Sequence, residues 1–246
     1  MPELYHYNPI WITTRPIAHR GLHGPGVPED SQAAFGAAAA AGYAIELDIR
    51  MTADNQLIVN HDPTTGRLSG TNTSIKTTSA AELASLRLSG TAQSIPLLDD
   101  VLKLINGRVP LAIEIKHSIP PRAIGPLLME LLNTYPGEVS VASFDPRIVA
   151  WFRLHAPHIP RGQIASSLPE KSQPRWIRHI FRAMPLNFWS RPQFIAFDIR
   201  DYPNRALSFW QRRLHAPVVL WTVENDEQLA TARQAGCNVV FEHIRP

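Results

Sequence analysis

The chain has 246 residues, 44% of them hydrophobic, which allows a sizeable core in one domain spanning residues 1–246. The net charge is only +3, and a single cysteine, Cys237, excludes an internal disulfide and fits a reducing compartment. The opening MPELYHYNPIWITTR lacks a basic start followed by an apolar run, and no stretch approaches about eighteen apolar residues. A cytoplasmic protein with neither export signal nor membrane span is expected.

In chain order, strands are predicted at Ile17 to His19, Ala44 to Ile49, Leu57 to His61, Leu111 to Lys116, Val139 to Ser143, Arg161 to Ala165, Phe194 to Ile199, Val218 to Val223 and Asn238 to Glu242. Helical patterns fall between most of them: Ser31 to Ala41, Ser79 to Leu88, Leu98 to Ile105, Arg122 to Asn133, Pro146 to His155, Ala206 to Leu214 and Asp226 to Ala235. Alternating strands and helices imply a parallel sheet, and about eight such units imply an α/β fold of the TIM (β/α)8 barrel type. One junction breaks the alternation. Only IRMTADNQ separates Asp48 from Leu57, too little for a helical crossover, so a short antiparallel β-hairpin turning at Asp54 and Asn55 should follow the second strand. Nine strands for eight barrel positions leave either that hairpin or the last short strand as an extra. The alanine-rich SQAAFGAAAAAG reads as a helix opened by Asp30 or Ser31 and stopped at Gly42.

The stretch AIELDIR carries a fault for a buried strand. Side chains alternate along a strand, so Ile45, Leu47 and Ile49 form an apolar row while Glu46, Asp48 and Arg50 share the other face. LAIEIKH repeats the pattern, with Glu114 and Lys116 on its polar row. If these rows point into a barrel, Glu46, Asp48 and Glu114 converge near the carboxyl strand ends where such barrels keep their active sites. Two explanations offset the cost of burying them. A hard divalent cation such as Mg²⁺ or Ca²⁺ takes an all-oxygen ligand set, or the acids are ion-paired with Arg50, Lys116 or other bases.

Further reactive groups stand at strand ends. IAHRG supplies His19 and Arg20, and LIVNHD supplies His61 and Asp62. Two histidines beside carboxylates, an arginine and a lysine provide what phosphodiester cleavage needs: a base, an acid and positive charge for the phosphoryl oxygens.

The motifs AHRG, PEDSQAAFGAAAAAGY, IELDIRMTADNQLIVNHDPTTGRLSG, IPLLDDVL, LAIEIK, SFDP and WTVEND occur in this order from Ile17 to about Val240. In this the chain resembles the glycerophosphodiester phosphodiesterase family, the phospholipase C-like TIM-barrel phosphodiesterases. The resemblance implies a metal-dependent hydrolase cutting glycerophosphodiesters to sn-glycerol 3-phosphate and an alcohol. It further implies His19 and His61 as the acid/base pair, Arg20 and Lys116 as phosphate-binding groups, and Glu46, Asp48 and Glu114 as ligands of Mg²⁺ or Ca²⁺. Trp221, in LWTV, matches the family's tryptophan and is expected to line the substrate pocket or to pack in the core. Two departures stand out. The family's Pro-Glu-Asn is here Pro28-Glu29-Asp30, with Asp30 expected to cap the helix, and the usual Thr-Asp near the end is replaced by Phe241 and Glu242.

From Lys171 to Arg191 the chain carries Lys171, Arg175, Arg178, Arg182 and Arg191 with no acid, interleaved with Trp176, Phe181, Phe188 and Trp189. A solvated helix and loop with inward aromatics is expected there. Weak contact with a membrane surface, or admission of a lipid-like substrate, is the alternative. It keeps in view lysophospholipase D-like cleavage of lysophospholipids. A non-catalytic phosphodiester-binding barrel is disfavoured by the seven intact reactive positions, and nucleic acid by the lack of a groove-reading motif.

Overall fold

A computed structural model of the protein describes residues 10–116, 119–166 and 184–246. The elements are α1 (Ile10–Thr14), β1 (Ile17–Ala18), α2 (Gln32–Ala40), β2 (Ala44–Met51), β3 (Leu57–Val59), α3 (Gly66–Ser69), α4 (Ala80–Ala84), α5 (Leu98–Ile105), β4 (Leu111–Ile115), α6 (Pro121–Leu132), β5 (Val139–Ser143), α7 (Pro146–His155), β6 (Arg161–Ala165), α8 (Asn187–Ser190), β7 (Phe194–Asp198), α9 (Arg205–Leu214), β8 (Val218–Val223), α10 (Asp226–Gln234) and β9 (Asn238–Phe241). The strands form one sheet in the order β1-β9-β8-β7-β6-β5-β4-β2-β3, and β1 pairs again with β2. Eight strands therefore close on themselves and β3 is the extra one, bonded to β2. The fold is a TIM barrel, and the last short strand belongs to the ring. By their internal contacts the residues divide into two compact units, Ile17–Val139 and the remainder.

In the unit Ile17–Val139, β2 pairs in parallel with β1 and with β4. The apolar rows Ile45, Leu47, Ile49 and Leu111, Ile113, Ile115 are fully buried. Helix α2 covers β2 and packs on α5, whose Leu98, Val101, Leu102 and Ile105 repeat on one face at helical spacing. The small side chains of α2 permit close approach. A Cβ on Gly21 would lie 2.7 Å from the Ala34 carbonyl carbon, and Gly21 also holds φ at +80°, so only glycine fits this loop against this helix. Ser31 opens α2, its Oγ accepting from the Ala34 amide at 3.2 Å. The expected cap at Asp30 is thereby corrected: Asp30 sits in the left-handed region at φ +54° and is buried. After β2 the chain turns at Thr52 to Gln56, with Asn55 at φ +59°, and returns antiparallel as β3. Between β3 and α5 a small lobe gathers Ile58, Ile75, Ala80, Leu83, Leu88 and Ile95 into its own apolar cluster.

In the other unit β5 to β9 run parallel in sequence order. Close strand approach is again bought with a glycine, since a Cβ on Gly162 would strike the Phe194 ring at 2.3 Å. Helix α1 seats Trp11 and Ile12, and the Asn238 amide donates to the carbonyls of Ile12 and Arg15 at 2.8 and 2.7 Å. Asp145, Asn204 and Asn225 cap α7, α9 and α10.

Candidate active site

Seven of the eight residues singled out in the sequence lie in the unit Ile17–Val139. Register brings the carboxylates together. Asp48 on β2 is the direct partner of Glu114 on β4, and Glu46 precedes Asp48 by one pleat on the same face. One oxygen from each of Glu46, Asp48 and Glu114 lies within 4.8 Å of the others.

Two cations reach this cluster. Lys116 Nζ stands 2.5 Å from Asp48 Oδ1 and 2.5 Å from Glu114 Oε1. Arg20 Nε is 3.1 Å from Asp48 Oδ2, and its Nη1 donates to Glu29 Oε1 at 2.7 Å. The turn that places it is tight: Arg20 is at φ +54°, ahead of Gly21, so the Arg20 amide faces Glu46 and donates to its Oε2 at 3.1 Å. His19 Nε2 is 3.9 Å from the same oxygen. The ion pairs that the sequence offered as an alternative are thus present between Lys116 and both Asp48 and Glu114, while Arg50 donates through Nε and Nη2 to the His61 carbonyl oxygen at 2.9 and 2.5 Å.

The electrostatics are uneven across the three acids. Burial alone would raise Asp48, but Lys116, Arg20 and His61 outweigh it and hold its carboxyl well below the usual range. Glu46 goes the other way. Burial, then Asp48 and Glu114, push it well above the usual value, and Arg20 only partly offsets them. Lys116 and Arg20 are both raised, because the surrounding carboxylates overcome the burial that disfavours their charge. Three carboxylates of unequal compensation, presenting clustered hard oxygens, fit a divalent cation, and Glu46, Asp48 and Glu114 could hold one.

The second histidine arrives with the extra strand. The Asn60 amide donates to the Asp48 carbonyl at 2.9 Å, continuing the β2–β3 ladder and delivering His61 beside it. His61 Nδ1 lies 2.8 Å from Asp62 Oδ1, and burial lowers the imidazole pKa. Arg67, on α3 of the small lobe, donates through Nε to Asp62 Oδ2 at 2.6 Å and through Nη1 and Nη2 to Glu29 at 2.8 and 2.7 Å. A chain of charge therefore runs from His61 through Asp62, Arg67 and Glu29 to Arg20. Arg67 escaped the sequence reading: 38 residues separate it from Glu29, and nothing local in HDPTTGR marks it.

Asp30 adds a further acid, itself buried. Neither of its oxygens has a hydrogen-bond partner among the described residues, and burial, then Asp48, raise its pKa well above the usual value. The eighth residue, Trp221, stands in the other unit on β8, its ring edge-on to Phe144 at 5.9 Å, and its indole N–H is buried without a hydrogen-bond partner among the described residues. Of the basic, aromatic stretch from Lys171 to Arg191, residues 171–183 lie outside the described residues.

Comparison with known proteins gives the family of this TIM barrel. Residues 19–243 match the glycerophosphoryl diester phosphodiesterase family, and the chain belongs to that family. A glycerophosphodiester phosphodiesterase of Bacillus altitudinis is 34% identical over 158 residues, 59% of this chain and 64% of that relative, so the chain spans less than two thirds of that relative's length. One of Caldanaerobacter subterraneus subsp. tengcongensis is 33% identical over 164 residues, 61% of this chain and 66% of the relative. Among solved structures, an Oleispira antarctica phosphodiesterase in complex with the product sn-glycerol-3-phosphate superposes with a TM-score of 0.77, at 20% identity, over 93% of this chain and 92% of that one.

Proposed function

We propose that the protein is a glycerophosphodiester phosphodiesterase that hydrolyses its substrate to sn-glycerol 3-phosphate and an alcohol. The observation that carries the reading is the in-register meeting of Asp48 and Glu114 with Glu46 beside them, flanked by Lys116, Arg20, His19 and His61.

Lys116 and Arg20, both held cationic, neutralise the phosphoryl oxygens as charge builds on them. Asp62 stays ionised because hydrogen bonds from His61 and Arg67 outweigh its partial burial, so it accepts and His61 Nδ1 carries the proton. The Nε2 lone pair of His61 is then the base for the attacking oxygen, whether water or the glycerol 2-hydroxyl, and its lowered pKa keeps it neutral at pH 7. His19 gives a proton to the leaving alkoxide. Glu46, Asp48 and Glu114 are the residues that would hold a divalent ion such as Mg²⁺ or Ca²⁺, which when bound would supply Lewis-acid polarisation of the phosphate.

A coupled assay for glycerol 3-phosphate, with glycerophosphocholine and lysophosphatidylcholine as parallel substrates, tests the reading. Release from glycerophosphocholine is expected. Release of choline and lysophosphatidate from lysophosphatidylcholine alone, read by a choline assay run in parallel, would move the protein to the lysophospholipase D reading.

A further inference from the structure

Phe188 and Trp189 on α8 are each 50% exposed, Phe209 on α9 is 46% exposed, and Leu154 near the end of α7 is 65% exposed. Large apolar side chains usually stand singly on a protein surface, and a group of them marks a surface that meets something. These are neighbours. The rings of Phe188 and Phe209 both pack on the buried Trp210, at 4.6 and 6.0 Å between centroids, and Arg153 Nη1 on α7 donates to the Trp189 carbonyl at 2.8 Å. Leu186, just before α8, is exposed as well.

The charge carried by these three helices has one sign. No acidic residue occurs within α7, α8 or α9, whereas Arg153, Arg205, Arg212 and Arg213 lie on α7 and α9 and Arg191 directly follows α8. Arg191, Arg205, Arg212 and Arg213 are exposed. Aromatic rings braced from behind and edged by guanidinium groups suit the headgroup level of a bilayer: rings enter the acyl boundary while arginines remain among lipid phosphates. The aliphatic members choose between anionic partners. Leu154 and Leu186 offer nothing on which a nucleotide base could stack, but they transfer favourably to acyl chains.

We propose that the face formed by α7, α8 and α9 docks on the surface of an anionic phospholipid bilayer. The proposal is independent of the reading of the active site, because it is measured by binding and not by turnover.

The test is co-sedimentation of the full chain with vesicles of phosphatidylcholine alone or mixed equally with phosphatidylglycerol, at low and at high salt. Binding to the anionic vesicles should exceed binding to neutral ones by about tenfold or more and should fall in high salt. The doubly substituted Arg212→Glu/Arg213→Glu protein should lose about tenfold in binding with an unchanged thermal melt, since both arginines are exposed, and Phe188→Ser/Trp189→Ser should lose at least as much when compared well below its own melting temperature, because Phe188 also packs on Trp210. Brominated acyl chains should quench wild-type tryptophan fluorescence more than that of Trp189→Phe. Equal partition onto neutral and anionic vesicles, no partition at all, or binding indifferent to both variant pairs overturns the proposal. So does a wild-type dimer that Trp189→Ser dissociates, or an RNA oligonucleotide bound as tightly as the anionic vesicles.

Discussion

The two units handle buried charge in opposite ways. In the unit from Ser140 onward, two buried acids take their charged partners locally: Asp145 binds Arg147 and Asp198 binds Arg200, each two residues further on, and the same carboxylates accept the backbone amides of those two arginines. In the unit Ile17–Val139, Asp48, Glu29 and Asp62 are bonded across elements, Glu114 shares its neighbour Lys116 with Asp48 of the adjacent strand, and Glu46 and Asp30 are left with burial and like charge that raise their pKa. Local pairing builds a scaffold. Unresolved charge held by distant strands is what a reaction with an anionic substrate can use, and it is where substitution should matter most.

The largest effect expected is loss of all turnover in chelator, restored by Mg²⁺ or Ca²⁺. Full turnover in EDTA would reduce the three acids to ion-pair partners. Melting curves sharpen the same point: the divalent ion should raise the wild-type melting temperature and raise that of Glu46→Gln less, since Gln can still accept from the Arg20 amide but has lost its charge. Next, His19→Ala and His61→Ala should each lower the rate by roughly 10²-fold or more with the fold intact. Either variant retaining most activity makes that histidine structural.

Asp62→Asn should cost less, about tenfold, and its pH profile carries the diagnosis. Because burial depresses His61, the acid limb of kcat/KM should fall below the ordinary histidine value of about 6.5. The hydrogen bond that His61 donates to Asp62 raises the His61 pKa, so removing that carboxylate should move the limb to still lower pH. A limb that does not move uncouples Asp62 from the base.

Asp30→Asn turns on stability alone. The folded-state pKa of Asp30 is raised, so between the unfolded value of about 3.9 and that higher value the folded protein binds the extra proton and loses stability as pH rises. Asparagine also tolerates a positive φ. The variant should therefore melt higher than wild type at pH 7 in chelator, with the gain shrinking towards pH 4. The opposite unit supplies the smallest effect. Asp145→Ala removes the α7 cap and should cost about 1 kcal/mol with turnover within about twofold.

What the sequence disclosed follows from the range of the interactions. Apolar runs between helical patterns located all nine strands, and period-two alternation located both acid rows, because one face of AIELDIR and of LAIEIKH had to be apolar. The shortness of IRMTADNQ exposed the hairpin. Helices α1 and α3 escaped, since four or five residues are too few to display a helical period, and α8 falls in the stretch Lys171 to Arg191 expected only as helix and loop, where Phe188 and Trp189 are half exposed and not turned inward. The partnership of His61 with Asp62 was visible as adjacency. Its extension through Arg67 to Glu29 was not, because it depends on how the lobe after β3 folds back. At the start of α2 both Asp30 and Ser31 were chemically able to cap; backbone conformation decided between them by turning Asp30 inward.

The pairing of Asp48 with Glu114 has an analytical use. Sliding β4 against β2 by one residue would put Ile113 or Ile115 opposite Asp48 and send Glu114 to the apolar row, so the same error that ruins the core also scatters the three acids. A mispaired molecule cannot keep the cluster. Titration of divalent-ion sites per mole of chain would therefore serve as a census of correctly paired molecules in a refolded sample, read without any substrate.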